Sequence, residues 1–424
     1  MQAQRPRLVA LGILSGTVLA GALGEQPPAT RNSFVVANVR VFDGERARPA
    51  TNVVVTDGTI RAIADGTAQW RSLPSIDGSG ATLLPGLIDA HAHTEDPKQL
   101  RQALRFGVTT VLDMFTNPAF EPALRSAAGS RQDVADFRSA GVLATAPGGH
   151  GTEYGIAIPT VAGPDDAAPF VRARKAAGSD YLKIVLNGVR AARDGTPTLD
   201  RPTTEALVRA AHALDMRAIA HVESTDDVRT AVMSGVDGLA HVWRQGGAAP
   251  EIAQLVAGRK VFVVPTLVTP DGFVKGTGAS LAEDPRLRPF LTEAVRARLT
   301  GAVQGPPLPN LDPMLAAVGA LRTAGARILA GSDVPNTNTV HGVSLHRELE
   351  LLVKAGLTPV EALTAATAAV ATAFRLPDRG RIAPGSIADL VLVRGDPAGD
   401  ITATRDILRV WRRGVEFNRQ SGPD

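Results

Sequence analysis

Leu84-Pro85-Gly86-Leu87-Ile88-Asp89-Ala90-His91-Ala92-His93 ends an apolar run with two imidazoles two residues apart. In an extended strand, residues i and i+2 point to the same face, so His91 and His93 project together beyond the strand's C-terminal end. Two imidazoles on one face are half of a metal site. A His-x-His pair also occurs in ordinary cores, and the rest of the chain must decide between the two.

Four further segments carry a ligand-type side chain in or at the end of a strand-like apolar run: Tyr181 to Val185 with Lys183, Arg217 to His221, Gly238 to His241, and Arg327 to Asp333. Helical spacing separates them. Thr203 to Leu214 places Ala206, Leu207, Ala210, Ala211 and Leu214 on one face, and Thr225-Asp226-Asp227 puts acidic residues at the positive N-terminus of another helix. Strand alternating with helix over roughly 250 residues is the pattern of an α/β fold, a (β/α)8 TIM barrel. Functional groups in that fold sit at the C-terminal ends of the strands, where these candidates lie.

From about residue 33 to residue 417 the chain resembles the metal-dependent amidohydrolase superfamily, in its branch with two metal ions bridged by a carbamylated lysine. The resemblance rests on the order His-x-His, Lys, His, His, Asp, on Gly331-Ser332-Asp333, and on Gly380 to Leu390. Leu345-His346-Arg347-Glu348-Leu349, with Ala355 to Pro359 and Ala362-Leu363, is similar to the imidazolonepropionase-like and Xaa-Pro dipeptidase-like group. Ala369-Val370 departs from that group, which commonly has Asn-Pro there; the change is expected to affect helix packing and leave the chemistry alone.

The resemblance implies two divalent ions, zinc by ligand type: His91, His93 and Asp333 for one, His221 and His241 for the other. A free ammonium cannot be a ligand, because it has no lone pair. Lys183 therefore belongs to the set only if carboxylated by carbon dioxide, as in the family. Asp333 is implied to have a second, catalytic role, taking the proton of the attacking water and passing it to the leaving group. No Gly-x-Ser-x-Gly elbow occurs, which counts against an acyl-enzyme route.

Substrate contacts are expected in Ala146 to Tyr154, where glycines allow close backbone approach and His150 or Tyr154 can donate to a developing oxyanion. Arg190 can pair with a substrate carboxylate, although solvated arginines are the commoner case. His341 and His346 are expected to play supporting or structural parts, and His212 none in catalysis. The insertion from Gly272 to Asn310, with a charged helix around Leu291 to Leu299, suits either a lid or an oligomer contact.

The 424 residues are 44% hydrophobic, enough for a large core. A formal charge of only +3, with interspersed signs, argues against nucleic acid as a partner; the resemblance implies a small-molecule substrate. There is no cysteine, so disulfides and cysteine lipidation are excluded. Arg5 and Arg7 precede the apolar Leu8 to Leu23 and a small-residue exit, so residues 1–24 read as a signal peptide. The protein is then exported, periplasmic or secreted, without a stable membrane anchor after processing; a homo-oligomer is compatible with this. Residues 33–82 and 385–417 alternate as strands, with an Asp57-Gly58 hairpin, and the family implies that they pair as a small β-sandwich beside the barrel at 83–384.

The function expected is metal-dependent hydrolysis of an amide or peptide bond, of dipeptide or N-acyl amino acid type. The same centre would serve a lactone or organophosphate ester hydrolase. A non-catalytic, metal-poor scaffold would require the loss of a ligand, and all six are present.

Overall fold

The computed structural model describes residues 32–274, 276–303 and 308–420, which form a mixed α/β fold. The apolar leader, 1–24, lies outside the described residues, as do 275 and 304–307 of the insertion.

In chain order the strands are β1 (Phe34–Phe42), β2 (Ala47–Thr56), β3 (Thr59–Ala64), β4 (Ser75–Asp77), β5 (Ala81–Pro85), β6 (Leu87–Ala92), β7 (Val108–Asp113), β8 (Asp136–Ser139) and β9 (Leu182–Val185). They continue as β10 (Ala218–His221), β11 (Gly238–Ala240), β12 (Phe262–Val264), β13 (Leu390–Arg394), β14 (Ile407–Arg412) and β15 (Val415–Glu416).

The two ends of the chain share one mixed sheet, in the order β15-β14-β13-β5-β1-β2-β3, with β4 also on β1. Asp57 and Gly58 make the two-residue turn between β2 and β3, with φ of 49° and 74° as such a turn demands. Alternating side chains from both ends meet in one apolar cluster that includes Val36, Val41, Leu83, Leu390 and Trp411. Phe34 stacks on Trp411 with ring centroids 5.2 Å apart. Neither end can bury this face alone, which is why segments some 300 residues apart in sequence are held together.

The remaining strands are parallel and buried on both faces, and for that reason they read as near-continuous apolar runs. One set is ordered β6-β7-β8 and the other β12-β11-β10-β9. Single parallel bridges join further segments to them: Ala144 with Ile184, Val263 with Ile328, and Ala92 with Val334. The intervening helices begin where cap chemistry stops the chain from continuing as strand. Asp200 accepts from the Thr203 amide at the start of Arg201–Ala213, and Ser224 with Asp227 closes a capping box on Thr225–Met233.

The charged helix of the insertion runs over Glu293–Leu299, and a second short helix over Thr277–Ala282. Leu281, Leu287 and Leu299 pack on Phe106, Val340 and Val343, so an apolar contact ties the insertion to the main body. Val370 is buried with Ile88 and Phe374, and Ala369 packs against the same cluster. No helix among the described residues is long and apolar enough to cross a membrane.

Candidate active site

Five chain segments converge and bring six side chains together. β6 carries His91 into His93, β9 holds Lys183, and β10 ends at His221. His241 directly follows β11, and Asp333 closes the segment that bridges to β12 at Ile328 and to β6 at Val334. All six side chains line one cavity of about 540 Å³. Gly331 is required by this convergence, because a Cβ there would lie 2.5 Å from Val264 Cγ1 and 2.8 Å from the His91 amide nitrogen.

Asp333 is the hub. Its Oδ1 lies 3.3 Å from His91 Nε2 and 3.1 Å from His93 Nε2, and its Oδ2 lies 4.0 Å from His241 Nδ1. Lys183 Nζ is 3.4 Å from His91 Nε2. His221 packs edge-on against His241 at 4.5 Å between centroids. Burial, reinforced by the Lys183 charge, holds His91 down at about 3. Burial also keeps His221 and His241 well below the usual imidazole range. It lowers Lys183 to about 7, leaving a large share of its amine neutral near physiological pH. For Asp333 burial works the other way, but the His91 and His241 rings outweigh it and keep the carboxyl far below the ordinary range.

These donors fit a metal centre better than they fit one another. The Nδ1 of His93 donates to the Phe115 carbonyl at 3.1 Å, which leaves Nε2 facing the Asp333 carboxylate; burial lowers the ring's pKa, but that carboxylate outweighs it and raises it. A lone pair on Nε2 would face an acceptor at hydrogen-bond distance, so the pair needs either this proton or a cation between them. His221 Nε2 is buried without a hydrogen-bond partner among the described residues. His91, His241 and Asp333 bring ligand atoms within 4.8 Å of one another, the spacing of groups that share an ion.

The strand ends that hold these ligands are fixed by residues with no ligand signature. His341 Nε2 donates to the His93 carbonyl at 3.0 Å, and Gln102 in turn donates to the His341 carbonyl at 3.0 Å. Asp89, buried one turn of the pleat before His91, accepts from the His91 amide at 3.2 Å, from the Ser332 amide at 2.9 Å and from the Ser332 hydroxyl. Asp113 accepts from the Thr94 amide at 2.9 Å and from Ser139 Oγ at 2.7 Å. Of these, the sequence marks only His341 for a supporting part; the partners of Asp113 and the Asp89–Ser332 contact lie far apart in the chain and carry no local signal.

His150 and Tyr154 line the cavity, with the Tyr154 hydroxyl 3.3 Å from His150 Nε2 and the His150 ring 5.3 Å from that of His221. Arg190 is not among the lining residues. Its guanidinium donates to Glu153 at 2.6 Å, and His150 Nδ1 reaches the same oxygen at 2.6 Å. Partial burial pushes Glu153 up, but these two donors prevail and bring it to about 2. Glu223 and Arg244 form a second pair on the wall, at 2.9 Å. Phe115, Leu143, Ile156, Val185 and Phe273 supply the apolar surface. His346 is far from the cavity wall in its contacts, bonded to Phe106 and Thr404, and His212 pairs with Asp237 at 2.9 Å.

The family model described as Amidohydrolase family matches residues 82–416. A dihydroorotase of Trichlorobacter lovleyi is 24% identical over 417 residues, covering 89% of this chain and 92% of the relative. The crystal structure of a Xaa-Pro dipeptidase with bound methionine superposes with a TM-score of 0.72 at 23% identity, over 91% of this chain and all of that one. Phenylurea hydrolase B superposes with a TM-score of 0.71 at 22% identity, over 92% of this chain and 98% of its own.

Proposed function

The chain belongs to the amidohydrolase family and is an enzyme that hydrolyses carbon–nitrogen bonds, and from that premise we propose that it cleaves an amide or peptide bond of dipeptide or N-acyl amino acid type. The observation that carries the proposal is the convergence of His91, His93, Lys183, His221, His241 and Asp333 on one cavity, with the Asp333 carboxylate against both rings of the His-x-His pair. We assign the architecture as a (β/α)8 barrel over 83–384, a reading that the Val263–Ile328 and Ala92–Val334 bridges support, beside a small β-sandwich from 33–82 and 385–417.

His91, His93 and Asp333 would hold one divalent ion and His221 with His241 a second, zinc by ligand type, and carboxylated Lys183 would be a further ligand. Bound there, such ions polarise a carbonyl and bring the pKa of water toward neutrality. The low pKa and burial of Lys183 favour its carboxylation: the neutral amine adds to carbon dioxide, a nitrogen–carbon bond forms and one proton leaves. Asp333, ionised at the outset, accepts the proton of the attacking water and returns it to the departing nitrogen. His150 and Tyr154 line the cavity, and in this reading they donate to the oxygen on which negative charge develops. The aromatic and aliphatic wall residues exclude water from the apolar part of the substrate.

The apolar leader assigns the protein to the periplasm or the exterior; N-terminal sequencing of the exported protein tests that assignment. Bound metal is to be quantified and hydrolysis measured on a panel of dipeptides, N-acyl amino acids, lactones and phosphotriesters. Two ions per chain, with turnover of the amides and loss of both metal and activity in His91→Ala and His241→Ala, is the expected result. Full activity in chelated, metal-free protein overturns the metal centre, and turnover of the esters alone overturns the substrate class.

A further inference from the structure

Three neighbouring strand ends at the centre finish on non-glycine residues in the left-handed region: His241 at φ 73°, Thr266 at φ 52° and Asp333 at φ 50°. Two of them are proposed ligands. The third, Thr266, follows β12 and Pro265, is buried, and is β-branched, the side-chain type that tolerates this backbone least. Glycine would take the same conformation without penalty, so a threonine here implies a use for its side chain.

Its hydroxyl shows that use. Thr266 Oγ1 donates to the Pro265 carbonyl at 2.8 Å and lies 2.7 Å from His241 Nδ1. A hydroxyl has one proton, and here it is directed at a carbonyl that cannot donate in return, so toward the imidazole the oxygen is an acceptor. His241 Nδ1 must then carry the ring proton, and the lone pair is left on Nε2, on a ring that lines the cavity. The turn behind Thr266 is held as well. The Thr269 amide donates to the Thr266 carbonyl at 3.1 Å, and Thr269 Oγ1 donates to the Ser332 carbonyl at 3.1 Å, which ties the turn to the segment that ends in Asp333.

We propose that Thr266 is a positioning residue: its hydroxyl fixes the tautomer and the rotation of the His241 ring, and the strained left-handed backbone is retained because it places that hydroxyl under Nδ1. The proposal rests on the reading of His241 as a ligand, and it adds a residue that never touches the ion or the substrate. It also accounts for the choice of nitrogen, which the position of His241 in the sequence leaves open.

The test compares Thr266→Val, which keeps shape and branching but has no hydroxyl, with Thr266→Ser, which keeps the hydroxyl and eases the strain, and Thr266→Gly, which eases the strain and has no hydroxyl. In the full-length, metal-free protein, nitrogen-15 NMR of the histidine rings reports the His241 tautomer. Zinc affinity is then measured by competition with a chromophoric chelator. The expectation is an Nδ1–H tautomer in the wild type and in Thr266→Ser, with zinc affinities within about threefold of each other. Thr266→Val and Thr266→Gly should show mixed tautomers and bind the more weakly held zinc about 10- to 100-fold less tightly. Thr266→Gly should also melt no lower than wild type when metal-free, which keeps the test decisive should Thr266→Val fail to fold. Wild-type tautomer and zinc affinity in a folded variant without the hydroxyl overturn the proposal. Absence of zinc binding by the wild type overturns the ligand reading instead, and the tautomer measurement still decides the role of Thr266.

Discussion

His346 should couple the stability of the fold to pH. It sits on the helix Val343–Lys354, is fully buried, and joins three separate segments: Nε2 donates to the Phe106 carbonyl at 2.9 Å, and Nδ1 lies 3.1 Å from Thr404 Oγ1 near the C-terminal end of the chain. Burial first, and then the positive charges of Arg405, Arg419 and Arg286, depress the ring from an ordinary 6.5 to about 4, while the Phe106 hydrogen bond acts in the opposite direction. Between those two values the unfolded chain binds a proton that the folded protein refuses. The stability contributed by the neutral ring is therefore complete above pH 6.5 and is lost as the pH falls toward 4, by about 3 kcal/mol in all. At pH 5 roughly 2 kcal/mol is gone.

Carboxylates titrate in the same range, so the assay is a difference. Urea unfolding of wild type and His346→Gln is followed from pH 8 to pH 4.5, with both proteins metal-free. Glutamine can still bond the Phe106 carbonyl but cannot acquire a charge. At pH 8 the substitution should destabilise by about 1 to 2 kcal/mol through lost packing. By pH 5 the gap should close, and below that the variant should become the more stable protein. A gap constant to within about 0.5 kcal/mol across the range would refute the argument, because it would mean that His346 is either charged or solvated in the folded state.

Three further outcomes are expected. Asp333→Asn, assayed at saturating zinc with bound metal quantified, should keep at least one ion yet lose about 100- to 10,000-fold in turnover, or roughly 3 to 5.5 kcal/mol of transition-state stabilisation; a wild-type rate would make Asp333 a ligand only and leave His150 as the first candidate for the proton. Lys183→Ala should be nearly inactive but partly restored by short carboxylic acids, which can occupy the place of the carbamate, and native protein whose mass shows no added carbon dioxide on a Lys183 peptide would speak against carboxylation. Gly331→Ala should press on Val264 and on the His91 backbone, lowering stability by about 1 to 3 kcal/mol and weakening metal retention; unchanged melting temperature and metal content would show that the strand end can shift to make room.

Much of the site was legible because its signals are local. A strand alternates with a period of two whatever it packs against, so the relation of His91 to His93 follows from two positions in the sequence. The places of Lys183, His221, His241 and Asp333 in or at the ends of apolar runs carry the same kind of information, as do the Asp57-Gly58 turn and the acidic helix start Thr225-Asp226-Asp227. The role expected of Arg190 shows where this stops. Its position beyond Lys183 suits a carboxylate clamp, but Glu153, 37 residues earlier, takes its guanidinium, and nothing near either residue announces the pairing. Likewise the insertion could be located from its composition, whereas its anchoring on Phe106 and Val343 could not.

The sequence by itself determined which side chains of this protein can bind metal and move protons, along with the α/β alternation that delivers them to strand ends, because residue chemistry and backbone periodicity act within a few positions of the chain. Only the tertiary structure decided how those groups are held and which of the spare histidines serve the site. His341 supports His93, His346 braces three distant segments, and Thr266 accepts from His241. Each of these depends on a hydrogen bond a few ångströms long between residues that are 25 to 248 positions apart in the chain. Such a bond forms only after apolar burial has brought the strands together.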